Sequence, residues 1–277
     1  MTPAQYCQEK AAQSGSSFYY SFLFLPPPRR RAITALYAFC REVDDVVDEC
    51  SDLSIARATL GWWREEIRQV YAGQPEHPVG QALAGVVREF ALPESQLREI
   101  IDGMEMDLTH NRYQSFDDLA LYCHRVAGVV GLLSARIFGY GDDRTEEYAH
   151  ELGLAFQLTN IIRDVGEDAR RNRIYLPLDE LARYGVSEDD ILHGRESEAF
   201  RQFMAFQAER AEEYYRRAFA ALPQADRRAQ RTGLVMAAIY RTLLDEIRRD
   251  GYRVLDRRIS LTPLRKLWIA WKTWLAA

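Results

Sequence analysis

Two stretches of this sequence hold acidic side chains at a spacing that suits a divalent cation. In Tyr37-Ala38-Phe39-Cys40-Arg41-Glu42-Val43-Asp44-Asp45-Val46-Val47-Asp48, Asp44 and Asp48 are four apart and so share a helix face. They stand among Val43, Val46 and Val47, on a helix otherwise suited to burial. Like charges at this spacing repel by about 0.2–0.5 kcal/mol, and Asp is a weak helix former. The helix gains nothing from the pair, whereas a bound cation would remove the repulsion. In Gln157-Leu158-Thr159-Asn160-Ile161-Ile162-Arg163-Asp164-Val165-Gly166-Glu167-Asp168, Asn160, Asp164 and Asp168 fall at i, i+4 and i+8, with Gln157 beside them. Hard oxygen ligands on a rigid helix suit Mg²⁺, which takes one or two carboxylates and completes its shell with water and phosphate oxygens. Taken singly, either row reads equally well as a solvated acidic surface. Only a fold that sets the two rows opposite each other gives them a common purpose.

The elements that must position these rows are helical. Apolar residues recur at i, i+3, i+4 and i+7 over residues 32–47, 97–108, 119–138, 148–165, 200–222 and 234–247. Breaks fall at Pro26-Pro27-Pro28, at Gly73-Gln74-Pro75 with Pro78, and at Gly139 to Gly141; Pro93 starts a helix, and Ser115 with Asp118 resembles a capping box. Residues 172–177 read as a loop, and residues 177–194 as two brief helical turns around Gly185. No alternating strand, linker or internal repeat interrupts the pattern, so one all-α domain over residues 1–277 is the economical reading.

Composition narrows the function. The chain has 277 residues, 47% apolar and 28% charged, and at this size buries roughly 75% of its unfolded surface, so it needs no disulfide staple. Its four cysteines, Cys7, Cys40, Cys50 and Cys123, include no C-x-x-C pair and read as reduced thiols of a cytoplasmic protein. Five scattered histidines give zinc little to build on. A net charge of −5 argues against nucleic acid as a partner. No N-terminal signal is evident, and no stretch approaches the roughly 20 apolar residues of a membrane span.

At the acidic rows the chain resembles the squalene/phytoene synthase family. Ser16-Ser17-Phe18, the stretch from Tyr37 to Asp48, Tyr122-Cys123-His124-Arg125-Val126-Ala127-Gly128-Val129-Val130-Gly131, the stretch from Asn160 to Asp168, and Arg173-Ile174-Tyr175-Leu176-Pro177 match family motifs in order over nearly the whole chain. The resemblance implies an isoprenoid-synthase helical fold around a central cavity. It implies two to three Mg²⁺ ions, held by Asp44 and Asp48 on one wall and by Asn160, Asp164 and Asp168 on the other, with Asp45 and Glu167 adjacent. Tyr37, Arg41, Gln157, Arg163 and Tyr252 match diphosphate-contacting positions; Ser16 and Ser17 match a substrate-touching loop; Arg265 is a looser match. Tyr122 matches a tyrosine that assists proton loss. In such chemistry Mg²⁺ and arginine neutralise a leaving diphosphate so that an allylic C–O bond ionises. A dry cavity, here expected along Phe18, Phe22 and the apolar face of residues 126–138, then shields the cation until a second substrate attacks and a cyclopropane closes.

The structural readings of the same residues are plainer. Tyr122 would be a buried tyrosine, Gly128 and Gly131 would permit close helix packing, Arg41 would be a helix partner of Asp44, and Glu105 and Asp107 read as solvated or structural. Within the family, Ser14-Gly15-Ser16-Ser17-Phe18-Tyr19-Tyr20-Ser21-Phe22 and Arg41-Glu42-Val43-Asp44-Asp45-Val46-Val47-Asp48 look most like bacterial presqualene diphosphate synthases. These join two farnesyl diphosphates, need no NADPH, and leave the second diphosphate to a downstream enzyme. Phytoene synthase, using geranylgeranyl diphosphate, and a complete NADPH-dependent squalene synthase are the near alternatives. A di-iron bundle would need two Glu-x-x-His motifs, and only Glu147 with His150 has that spacing. A terpene cyclase or a chain-elongating synthase would carry a different second metal motif. A non-catalytic helical binding protein would leave the carboxylate rows unexplained.

Residues 265–275 bear Trp268, Trp271 and Trp274 beside Arg265, Lys266 and Lys272. One reading is an interfacial helix making a peripheral membrane contact; the other, slightly favoured, is a last helix packing its tryptophans on the core.

Overall fold

The computed structural model describes residues 1–13, 21, 22, 24–50 and 52–276. Ser16, Ser17 and Phe18 lie outside them. Helix α1 (Pro3–Gln13) leads to α2 (Pro27–Glu49), α3 (Leu53–Ala72), α4 (Pro78–Glu89), α5 (Glu94–Thr109), α6 (Phe116–Cys123) and α7 (Val129–Phe138). After these come α8 (Arg144–Arg170), the short α9 (Leu178–Tyr184) and α10 (Glu188–Leu192), then α11 (Glu198–Ala221), α12 (Arg231–Arg249) and α13 (Pro263–Ala276). No strand forms among the described residues; an isolated parallel bridge joins Arg112 to Ile174.

The punctuation expected from sequence is present with one shift. The proline run begins α2 rather than merely ending what precedes it: Pro27 and Pro28 occupy its first turn, where proline's fixed φ fits and its missing N–H costs nothing. Asp52 caps α3 by accepting from the Ser54 and Ile55 amides, and Gly73 ends it at φ 81°. Ser115 and Asp118 form a reciprocal capping box at α6.

The run from α6 to α7 is continuous but wider in the middle, since residues His124–Gly128 form a π turn. A π turn fits an extra residue into the helix and is common at functional sites. Counted through this turn, Phe116–Phe138 is 23 residues, long and apolar enough to cross a bilayer, contrary to the sequence expectation. It is instead a core helix, packed against α5 and α8. The close approach to α8 depends on missing side chains: a Cβ on Gly131 would sit 2.2 Å from the Ala149 carbonyl oxygen, and one on Gly153 2.4 Å from that of Ala127.

Two apolar clusters build the interior. One gathers α1 to α5 with α7, the other α8, α11 and α12, and Val126 packs against both. Helix α2 shows how sequence sets this up. Ala32, Leu36, Phe39, Val43 and Val47 bury one face, each large apolar side chain contributing roughly 1.5–3 kcal/mol. The adjoining face carries Tyr37, Arg41, Asp44 and Asp48 at steps of four, three and four residues. Helix α8 buries Tyr148, Leu152, Ala155, Leu158, Ile162 and Val165 among others and keeps its polar side chains on a stripe that includes Gln157, Asn160, Asp164 and Asp168. On α13, Trp274 stacks on Phe24 with centroids 5.3 Å apart, while Trp268 and Trp271 are 60 and 48% exposed, so the core packing expected of the tryptophans holds there for Trp274 alone.

Candidate active site

A cavity of about 190 Å³ lies where α2, α7, α8 and α12 meet, bounded by Ile33, Leu36, Val130, Phe138, Leu152 and Phe156 among others. Its walls change character along the helices. On α2 they run from Ile33 and Leu36 to Tyr37 and Cys40, and Asp44 and Asp48 follow on the same face. On α8 they run from Ala149 and Leu152 to Gln157 and Asn160, and Asp164 and Asp168 continue that stripe. Both helices therefore present apolar surface first and carboxylates after it.

Arginines occupy the space between the two rows. Arg171 and Arg173, just past the end of α8, reach across to Asp48 at 3.0 and 2.9 Å, and Arg173 also donates to the Val47 carbonyl oxygen at 3.1 Å. Arg41 donates to Asp44 at 2.5 Å and to Asp45 at 2.6 Å, so it is the helix partner that the bland reading described. Arg163 forks onto Asp164, its Nε at 2.7 Å from Oδ1, and Arg258 Nε donates to the same oxygen at 2.9 Å. Asp45 turns towards α1, where Lys10 meets it at 2.8 Å. Glu167 is 3.5 Å from Arg258.

These cations do not satisfy the site. Loss of hydration lifts the Asp44 carboxyl to about 6 against the pull of Arg41, with Asp48 and Asp45 adding to the rise. Loss of hydration also lifts Asp168 to about 8, Asp164 adding and Arg173 opposing. Asn160 donates to Gln157 at 3.3 Å, yet its Oδ1 is buried without a hydrogen-bond partner, a position that normally costs free energy unless something donates or ligates there. Buried carboxylates raised by lost hydration, beside an amide oxygen without a partner, fit a hard cation. Among the described residues no three His, Cys, Asp or Glu side chains are gathered closely enough to hold a metal alone. That spread suits Mg²⁺, which relies on few carboxylates and shares the rest of its shell with a ligand's phosphates.

Beside the carboxylates sits a group that sequence reading assigned to solvent or structure. Asp107 accepts from the Tyr122 hydroxyl at 2.9 Å and from the Tyr175 hydroxyl at 2.7 Å. Loss of hydration lifts its carboxyl to about 6 in spite of these donations. The Tyr122 and Tyr175 rings stack with centroids 5.2 Å apart, and Tyr113 packs on both. Backbone bonds from Ile174 to Asn111 and from Leu178 to Tyr113 hold the two loops together. Glu105, by contrast, is structural: Arg64 bridges it and Asp102, at 2.6 Å each.

Two sequence assignments fall elsewhere. Tyr252, at φ 59°, shares its hydrogen bond with Arg248 and lies near Glu209, neither of which belongs to the two rows. Arg265 pairs with Glu246 at 2.7 Å on the outside of α12. Tyr240 and Lys266 instead feel the charge of Arg163. Tyr240 hydrogen-bonds Arg163, and its ring meets Phe156 at 4.9 Å. Lys266 is held below the usual ammonium range by burial and then by the charges of Arg163 and Arg258. The loop bearing Arg258 is fixed to α8 at Gly166, whose N–H donates to the Val254 carbonyl oxygen at 3.1 Å and where a Cβ would lie 2.3 Å from the Leu255 carbonyl oxygen.

With this geometry in view, the sequence matches squalene/phytoene synthase over residues 11–265. The chain belongs to that family. Its relatives include the phytoene synthase of Arthrospira platensis, 41% identical over 94% of this chain and 89% of that one. Another is the 15-cis-phytoene synthase of Synechocystis sp., 38% identical over 98% and 84%. Among solved structures, a dehydrosqualene synthase in complex with ligand superposes with a TM-score of 0.88 at 28% identity, covering 98% of this chain and 95% of that one. Squalene synthase HpnC from Alicyclobacillus acidocaldarius gives 0.81 at 29%, covering 90% and 94%. The all-α isoprenoid-synthase fold is thus the family's own, and the chain is a prenyltransferase of isoprenoid biosynthesis, a family that uses prenyl diphosphates. These curated relatives carry the name phytoene synthase, the near alternative of the sequence reading, and not presqualene diphosphate synthase.

Proposed function

We propose that this protein joins two molecules of one allylic prenyl diphosphate head to head. The observation that carries the reading is the apolar cavity set directly below two carboxylate rows on the same pair of helices, since such a ligand has a long hydrocarbon tail and a charged head. Asp44, Asp48, Asn160, Asp164 and Asp168 would hold Mg²⁺. When bound, the metal supplies positive charge against which an allylic diphosphate ionises. Arg41, Arg163, Arg258 and Lys266 take the departing anion, and Tyr37 and Gln157 line its approach. The cavity walls keep water from the carbocation. Tyr122 stays neutral because burial raises its hydroxyl well above the usual phenol range. To accept the proton lost as the cyclopropane closes, it must therefore pass its own to Asp107, whose oxygen already receives that hydrogen bond.

Geranylgeranyl diphosphate is the substrate supported by the phytoene synthases at 38–41% identity. Farnesyl diphosphate, with presqualene diphosphate as product and no need for NADPH, is the second reading. It is supported by the N-terminal motif and by the names of the two solved neighbours, both of which make C30 compounds. The test is incubation with Mg²⁺ and either diphosphate, with and without NADPH, and identification of products by mass spectrometry. A C40 hydrocarbon from the C20 substrate supports the first reading. A C30 diphosphate unchanged by NADPH supports the second, and squalene appearing only with NADPH would indicate a complete squalene synthase. No coupling of either substrate by folded protein would overturn the proposal.

A further inference from the structure

The sequence scatters its five histidines, but the fold brings two of them together. His124 opens the π turn and His150 lies on α8. His124 Nδ1 and His150 Nε2 face each other across 2.9 Å, with ring centroids 5.1 Å apart. Each ring has a carboxylate behind it. Glu99 Oε1, on α5, is 3.2 Å from His124 Nε2, and Glu151 Oε1 is 3.9 Å from His150 Nδ1. Gly128 makes the meeting possible, because a Cβ there would lie 2.9 Å from His150 Cδ2. The two side chains are 33 and 30% exposed, so a dissolved ion can reach them.

No neutral form of the pair satisfies all four ring nitrogens. A neutral imidazole has one N–H and one lone pair. A carboxylate only accepts, so His124 turns its N–H to Glu99 and its Nδ1 lone pair to His150. If His150 donates to that lone pair, its own lone pair faces Glu151. If it turns its N–H to Glu151 instead, two lone pairs meet between the rings. A positive charge placed there removes the conflict. A proton is held weakly, since burial and then the charge of His124 keep His150 below the usual imidazole range. The surroundings attract a larger charge. Glu147 and Glu213 add to Glu151, with Arg217 opposing, and one Glu151 oxygen is buried without a hydrogen-bond partner.

We infer that His124 and His150 bind a divalent transition ion of the zinc or copper class. Imidazole nitrogen suits these ions, and a carboxylate on the other ring nitrogen is the usual support of a ligating histidine. His124 ligates through Nδ1 and His150 through Nε2. For zinc–nitrogen bonds of about 2.0–2.1 Å in a tetrahedral shell, the two nitrogens must part by about 0.4 Å. Water completes the shell. The site is separate from the carboxylate rows, because α8 rises about 15 Å between His150 and Asn160. The ion ties the π turn to α8 and takes no part in the proposed coupling reaction.

The test uses the full chain with Zn²⁺ as the probe, in excess Mg²⁺ to compete for the carboxylate rows. Calorimetry should show one Zn²⁺ per chain, and the melting temperature should rise with Zn²⁺ concentration. Glu99→Gln, which leaves both imidazoles in place, should weaken binding by about tenfold; His124→Gln and His150→Ala should weaken it further. Cu²⁺ should show coupling to two ring nitrogens by electron paramagnetic resonance, and to one in either histidine variant. Loss of Zn²⁺ binding in variants whose metal-free melt matches wild type would support the site. No Zn²⁺ binding by the wild type, binding that all three variants retain unchanged, or a Cu²⁺ signal without nitrogen coupling would each overturn it. None of these readouts depends on coupling of prenyl diphosphates, which stands or falls by its own products.

Discussion

The Tyr122 hydroxyl donates to Asp107 Oδ2 across 2.9 Å, from a helix turn on α6 to a carboxylate near the end of α5. On the proposal that the two form one proton path, we expect Tyr122→Phe and Asp107→Asn each to lower turnover by about a hundredfold or more, the usual range for lost acid–base assistance. The double variant should be little worse than the poorer single one, because groups acting as a unit are non-additive. Steady-state diphosphate release measures this; independent, multiplying losses would show that the pair is not a relay.

Metal dependence gives a second test. Removal of divalent ions by a chelator should stop turnover, and added Mg²⁺ should restore it. Asp44→Ala and Asp164→Ala should each reduce activity by about a hundredfold or more. Full activity in both variants would dissociate the carboxylate rows from the reaction.

The pH dependence of stability should run opposite to that of a salt-bridged protein. Folding raises Asp44 and Asp107 to about 6 and Asp168 to about 8, from 3.8. The folded state binds these protons more tightly than the unfolded chain does. Its advantage is whole below the unfolded value and is lost as pH rises through the folded ones. Metal-free protein should melt at progressively lower temperature from about pH 5 to about pH 9, and saturating Mg²⁺ should recover most at the alkaline end. A melting temperature that climbs over this range without metal would contradict the charge balance described.

Lys266 and Arg265 are neighbours in sequence with opposite surroundings. Lys266→Ala should raise KM for the diphosphate severalfold or more with a smaller change in kcat, since it removes binding charge. Arg265→Ala, which breaks an exposed pair with Glu246, should change neither appreciably. Equal effects would mean that α13 is rotated from its position here.

Packing supplies a last check. Gly131→Ala would drive a methyl group into the Ala149 carbonyl oxygen. It should destabilise the fold by about 1–3 kcal/mol or more, visible in chemical denaturation. Wild-type stability would show that α7 and α8 have room to separate.

What sequence reading captured was what lies within one regular helix. Asn160, Asp164 and Asp168 share a face because 3.6 residues make a turn, and nothing beyond α8 is needed to see it. What it missed depends on where separate elements come to rest. Asp107 is the last of several acids along an amphipathic helix, indistinguishable by pattern from a surface residue; only the crossing of the Tyr175 loop over Tyr122 makes it part of the site. Arg173 and Tyr175 were visible in a quoted motif but carried no stated role, since their direction is set by the bonds between the two loops. Tyr252 and Arg265 rest on the family resemblance alone, which is loosest in the irregular stretch after α12. Tyr240, inside α12, would have been found by asking which tyrosine shares a face with the cavity residues Gly233 and Met236.

The arginine forks on Asp44, Asp48 and Asp164 bear on how ligands enter. Each is a pairing that an incoming Mg²⁺ must break, so the metal alone gains only the difference between two attractions. A diphosphate alone meets guanidinium groups whose charge is already spent on carboxylates. Arriving together, the two exchange partners: metal goes to carboxylate and arginine goes to diphosphate, with no ion left uncompensated. Binding of one should therefore tighten binding of the other by the same factor, and calorimetric titration of Mg²⁺ with and without inorganic diphosphate would give the size of that coupling. The site works as an exchange of counter-ions, weak for either ligand singly and stronger for the pair.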